Sequence, residues 1–145
     1  MEINDLTYKI IGCVYKVHSA LGPGLLESTY EVCLEHELRK ADLYVERQKP
    51  LPVVYDDIKM EAGYRIDLLV EGRVLLELKS VEAIAPIHKA QVMTYLKLSG
   101  LKLGLLLNCN VVDMKKRHNK NNNVESVKIR VILSLIHISE PTRPY

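Results

Sequence analysis

In the stretch YRIDLLVEGRVLLELKS, residues 64–80, three charged side chains interrupt two apolar runs: Asp67 in the first, Glu77 and Lys79 in the second. Charge within an apolar strand is costly unless it is paired, hydrated or bound to a metal. Carboxylate oxygens suit hard cations such as magnesium or manganese, which keep several waters and accept phosphate oxygens. Such a cation offsets the repulsion between the two carboxylates and lowers the pKa of a bound water, making a nucleophile near neutral pH. The Lys79 ammonium can orient that water or stabilise charge growing on a phosphoryl group. The simpler alternative is a cross-strand salt bridge on a solvated face.

Further residues extend this set. Gln91 and Tyr95 lie four apart, on one face of the helix that follows. There Gln91 can hold a water or phosphate oxygen and Tyr95 can contact backbone or base, although ordinary packing explains either residue alone. Glu27, in the segment GPGLLESTY, falls in the first turn of a helix. It is either a favourable partner of the helix dipole or a further ligand or base. His18, near the end of the first helix, can favour the dipole as a cation or contact phosphate.

The elements that position these groups follow from apolar spacing. Asn4 is the expected cap of a first helix, in which Leu6, Ile10, Cys13, Val14, Val17 and Leu21 recur at helical intervals up to Gly22-Pro23-Gly24. A second helix is predicted over about 25–40. A strand near 44–55 carries Pro50 and Pro52, which suggests an edge or a bend. A hairpin follows. Ile66, Leu68 and Val70 share one face of its first strand, and Val74, Leu76 and Leu78 one face of its second. Both sets meet one core only if even-numbered residues oppose even-numbered ones. A plain two-residue turn at Glu71-Gly72 breaks that match. An odd loop, Val70-Glu71-Gly72 with Gly72 left-handed, restores it. Asp67, Glu77 and Lys79 then share the opposite face. Pro86 starts a helix to about Ser99, ended by Gly100. The apolar run 101–107 reads as a buried strand, and 127–133 as a possible last one. The predicted order is ααβββαβ, an α/β chain with one core.

The chain has 145 residues, 48% apolar and 26% charged, with neither Phe nor Trp. That suits one domain over 1–132. A formal net charge of +2 is no argument for nucleic acid by itself. The basic run Lys115, Lys116, Arg117 and Lys120 can contact phosphates, or be a solvated loop. No apolar run has membrane-spanning length and the N-terminus lacks a signal-peptide pattern. Three cysteines without metal-ligand spacing fit a reducing cytoplasm. Residues 133–145 are expected to be non-native. LSLIHISEPTR, 133–143, resembles the translation of a transposon-end adapter used for sequencing libraries, and the alternative is a genuine irregular tail.

The ordered set Asp67, Glu77-Leu78-Lys79, Gln91 and Tyr95 resembles the PD-(D/E)XK nuclease superfamily, and its Gln-x-x-x-Tyr resembles the RecB-like branch. Gly24-Leu25-Leu26-Glu27-Ser28-Thr29-Tyr30 matches the signature that names the bacterial GxxExxY proteins. The likeness covers about 3–111, including VHSALGPGLLESTYE and AQVMTYLKLSGLKLGLLLN. It departs after Asn108, where a longer polar segment follows. The resemblance implies a restriction-endonuclease-like core of αβββαβ order behind an extra N-terminal helix, with a mixed sheet flanked by helices. It implies Asp67 and Glu77 as ligands of magnesium or manganese, the backbone carbonyl of Leu78 as a further ligand, and Lys79 as the catalytic lysine. The implied partner is nucleic acid, DNA before RNA. A nuclease-like fold used for binding or assembly without turnover is the alternative, and a homodimer is a third possibility.

Overall fold

The structure, a computed structural model, describes residues 1–111. The basic run at 115–120, the strand expected at 127–133 and the adapter-like tail lie outside the described residues. Helix α1, Ile3–Leu21, buries Leu6, Ile10, Cys13, Val14 and Val17 on one side, as the spacing predicts. It starts before Asn4, which sits inside the first turn instead of capping it. Helix α2 runs Glu27–Lys40 and buries Tyr30, Glu31, Leu34 and Leu38. It starts two residues later than expected, because Leu26 is held extended as the N-cap, and Leu25 and Leu26 both stay exposed in the preceding loop.

The run expected as one strand near 44–55 is two. Strand β1, Val45–Pro50, joins the main sheet, whereas β2, Val53–Tyr55, pairs with β3, Ile58–Met60, in a separate antiparallel hairpin. Pro50 and Pro52 flank the break, and neither has an N–H to continue a ladder. The main sheet continues with β4, Arg65–Val70, β5, Val74–Lys79, and β6, Leu103–Asn108, in the order β1-β4-β5-β6. The first two pairings are antiparallel and the last is parallel, reached through helix α3, Pro86–Ser99. Gly100 ends α3 in the left-handed conformation at φ 74°. The sheet is mixed and flanked by helices, as expected. The difference is the β2–β3 hairpin inserted after β1.

The β4–β5 register is even-to-even: Leu68 faces Leu76 and Val70 faces Val74. The loop is one residue further on than predicted, Glu71-Gly72-Arg73. Both Glu71 and Gly72 have positive φ, and Arg73 N–H donates to the Val70 carbonyl at 3.0 Å.

The two sheet faces have different covers. Leu78 and Leu107 line a small apolar cavity with Val14, Val17, Tyr30 and Leu34, so α1 and α2 cover that face. On the other face Gly104 lies under α3; a Cβ there would sit 2.9 Å from Val92 Cγ1. Asp67, Glu77 and Lys79 share the parity of Gly104 and so point to the α3 side. Val74 through Leu78 are all buried, so β5 is covered on both sides.

Candidate active site

Asp67 and Glu77 come together, and they interlock. Asp67 Oδ2 accepts the Leu78 N–H at 2.9 Å, while Glu77 Oε2 accepts the Asp67 N–H at 2.9 Å. Each carboxylate thus takes a backbone donor from its partner's strand. The face they occupy is not solvated. Glu77 is only 3% exposed, and Asp67 is half-buried. Burial, then the negative charge of Asp67, pushes the Glu77 carboxyl up to about 8. Burial also raises Asp67, against the Leu78 and Gln48 hydrogen bonds that favour its charged form. The positive charge of Lys79, itself half-buried, acts on both carboxylates in the stabilising direction. Among the described residues Lys79 forms no ion pair within 4.0 Å. A plain surface salt bridge therefore does not account for the trio.

Helix α3 brings two further candidates to this side. Gln91 Nε2 donates to Tyr95 Oη at 3.4 Å. The Tyr95 ring packs edge-on against Tyr64, with centroids 6.3 Å apart. Burial raises the Tyr95 phenol, and the charges of Glu77 and Asp67 add to it, which places the ring beside the pair. The Leu78 group in contact with a site carboxylate is its N–H.

Glu27 lines a cleft of about 870 Å³ together with Asp67, Glu31, Gln48 and Ser80. Its Oε2 accepts the Ser80 N–H at 3.1 Å, and Ser80 Oγ donates to the Leu25 carbonyl at 2.9 Å. Tyr30 Oη donates to the Gly22 carbonyl and accepts the Leu25 N–H at 3.2 Å. Gly24 turns the chain at φ 93°, a conformation that favours glycine. The loop 22–26 is thereby tied to the first turn of α2, and both are tied to Ser80, just past the end of β5. Glu27, the first residue of α2, makes no side-chain cap; it holds the residue after Lys79. Asn108 fastens the same segment from β6: its Nδ2 donates to the Val81 carbonyl at 2.9 Å and its Oδ1 accepts the Val81 N–H at 3.2 Å.

His18 is placed elsewhere. It is 5% exposed and lines the apolar cavity under Leu78, with Nε2 lacking a hydrogen-bond partner. The last turn of α1 exposes Ser19, Ala20 and Leu21 but turns His18 inward beside Val17, which leaves the imidazole no surface through which to meet phosphate. Cys109 lines the same cavity, and burial pushes its thiol up to about 12, the condition of an inert structural cysteine.

Two residues escaped the sequence reading. Glu31 is buried and accepts Arg47 Nη1 at 3.2 Å and Gln48 Nε2 at 2.8 Å. Gln48 Nε2 also reaches Asp67 Oδ1 at 3.3 Å. Burial raises the Glu31 carboxyl, and the charge of Asp67 adds to that rise. Glu31 follows Glu27 by four, so a shared helix face was legible. Nothing in sequence marks Gln48, whose backbone is left-handed at φ 55° opposite Asp67. A non-glycine residue held there stores about 1–3 kcal/mol.

Two hard carboxylate oxygens with raised proton affinity, side by side, fit a magnesium or manganese ion, whose remaining positions waters can fill. Among the described residues no three His, Cys, Asp or Glu side chains converge as an ion site. No helix among them is long and apolar enough to cross a membrane. A family model described as the PD-(D/E)XK nuclease superfamily matches residues 4–121. No curated protein and no solved structure matches the chain.

Proposed function

The chain belongs to the PD-(D/E)XK nuclease superfamily, and from that premise we propose that it is a divalent-metal-dependent phosphodiesterase acting on nucleic acid, DNA before RNA. The observation that carries this reading is the interlocked pair of half-buried Asp67 and buried Glu77, followed on β5 by Lys79. We further propose that the chain is one of the GxxExxY proteins of the RecB-like branch, which the tied segment 24–30, the loop and first turn of α2, and Gln91 and Tyr95 support.

Asp67 and Glu77 would hold the metal, magnesium or manganese, with the Leu78 carbonyl as a further donor. When bound, the cation supplies the positive charge that the pair lacks and Lewis acidity toward a phosphodiester. The rest is the work of this chain's own groups. Lys79, fixed at the end of β5, orients the attacking water and stabilises charge growing on the phosphoryl oxygens. Gln91 holds a water or phosphate oxygen through its amide, and Tyr95 closes the α3 side against solvent. Glu27 and the Ser80 N–H keep the cleft wall in place.

Purified protein incubated with single- and double-stranded DNA and RNA, with and without manganese, tests this. Manganese-dependent cleavage that falls at least a hundredfold, roughly the cost of losing an electrostatic stabiliser, in Lys79→Ala and Asp67→Asn is the expected result. Cleavage undiminished in both variants refutes the site. A second reading is a fold kept for nucleic-acid binding without turnover. Salt-sensitive binding with no cleavage under any metal distinguishes it.

A further inference from the structure

Gln48 combines two features that have no common structural cause. Its backbone is left-handed at φ 55° within β1, directly across from Asp67 in the register that pairs Arg47 with Leu68 and Lys49 with Ile66. Its side-chain amide lies between two carboxylates, donating to Glu31 Oε1 at 2.8 Å and to Asp67 Oδ1 at 3.3 Å. Because both partners accept only, the orientation of the amide is chemically forced: the nitrogen faces the carboxylates. Glu31 is itself anchored by Arg47, and it is buried. The strand conformation is strained, yet it delivers the amide to the one Asp67 oxygen that the Leu78 N–H does not take.

Resting on the phosphodiesterase reading above, we propose that Gln48 is a positioning residue for the metal site. Glu31 and the strained β1 backbone hold its amide so that Asp67 presents a single rotamer toward the ion. The amide neutralises no charge on Asp67, so the carboxylate stays available to a cation while its orientation is fixed. A residue one atom group away from a ligand tunes affinity without touching the ion, and losing such a partner typically costs about 10- to 100-fold in metal binding.

The test is manganese affinity of the whole chain, read by electron paramagnetic resonance of free manganese and by titration calorimetry, alongside thermal melting of the metal-free protein. Gln48→Gly relieves the left-handed backbone and deletes the amide. It is expected to raise the melting temperature while weakening manganese binding about tenfold or more. A merely structural role gives the opposite pairing, a lower melting temperature with unchanged affinity, and overturns the proposal. Gln48→Met, of similar length but unable to donate and adding no carboxylate to the site, is expected to weaken binding as Gln48→Gly does; unchanged affinity in it also overturns the proposal. Asp67→Asn separates the two levels of inference. If it weakens binding and Gln48→Gly does not, only the role of Gln48 fails. If the wild-type chain binds no manganese, or Asp67→Asn binds as well as wild type, the metal-site reading fails and takes the role of Gln48 with it.

Discussion

Replacing Glu77 by Gln in the metal-free protein should make it more stable at alkaline pH. Burial and the neighbouring Asp67 raise the Glu77 carboxyl from 4.5 to about 8 in the folded chain. A raised folded pKa favours folding fully below the unfolded value, and that advantage disappears as pH climbs through the folded one. Near pH 4 both states are neutral at this position. Between about 4.5 and 8 the unfolded chain ionises and the folded chain does not, so stability falls across that window. At 1.36 kcal/mol per tenfold change in proton affinity, the ceiling is roughly 5 kcal/mol. Relaxation and water entry reduce it, and a gain of about 2 kcal/mol at pH 8.5 is the expectation, or roughly 4–8 °C in melting temperature for a chain of this size. Gln can still accept the Asp67 N–H and fills the same volume, so the hydrogen bond from β4 survives. Melting curves of both proteins in chelator from pH 4.5 to 8.5 make the measurement. Wild type and Glu77→Gln should coincide at the acid end and diverge steadily above it. Parallel curves would refute the claim that this carboxylate is desolvated. Saturating manganese should then stabilise wild type and leave Glu77→Gln nearly unmoved, since the stabilisation by a ligand follows its affinity for the native state.

Gly104→Ala should destabilise by about 1–3 kcal/mol, because the added methyl meets a buried, β-branched Val92 at 2.9 Å; urea melts with an unchanged slope check it. Tyr30→Phe should cost about 1 kcal/mol by releasing the Gly22 carbonyl and the Leu25 N–H. The same change should speed proteolytic cleavage between 22 and 26, and equal digestion rates would show that the loop is not tied there. Asn108→Ala strips partners from Val81 and Asn110 and should cost about 1–3 kcal/mol, read by denaturant unfolding. It should also lower cleavage through a displaced Lys79, whose carbonyl accepts the neighbouring Cys109 N–H.

Alternation in 66–78 was enough to require an even-to-even pairing of β4 with β5, and with it the shared face of Asp67, Glu77 and Lys79; the exact register, Leu68 with Leu76 and not with Val74, was decided by the folded turn. Local chemistry likewise set α3, with Pro86 at its start and left-handed Gly100 at its end. These features were legible because they depend on period, turn residues and steric preference, all of which act within a few positions. Burial of Glu77 was not legible, since it depends on α3 covering a face that the strand pattern alone leaves open. Nor was the inward turn of His18, decided by how α1 rolls against Leu78 and Leu107. The junction of Glu31, Gln48 and Asp67 joins a helix and two strands, and its strained residue violates the preference any local reading would assign it. Short-range rules thus chose which groups the chain carries and on which side of each strand. Only long-range packing decided which of them lost water, and loss of water is what turns a pair of ordinary carboxylates into one with raised proton affinity.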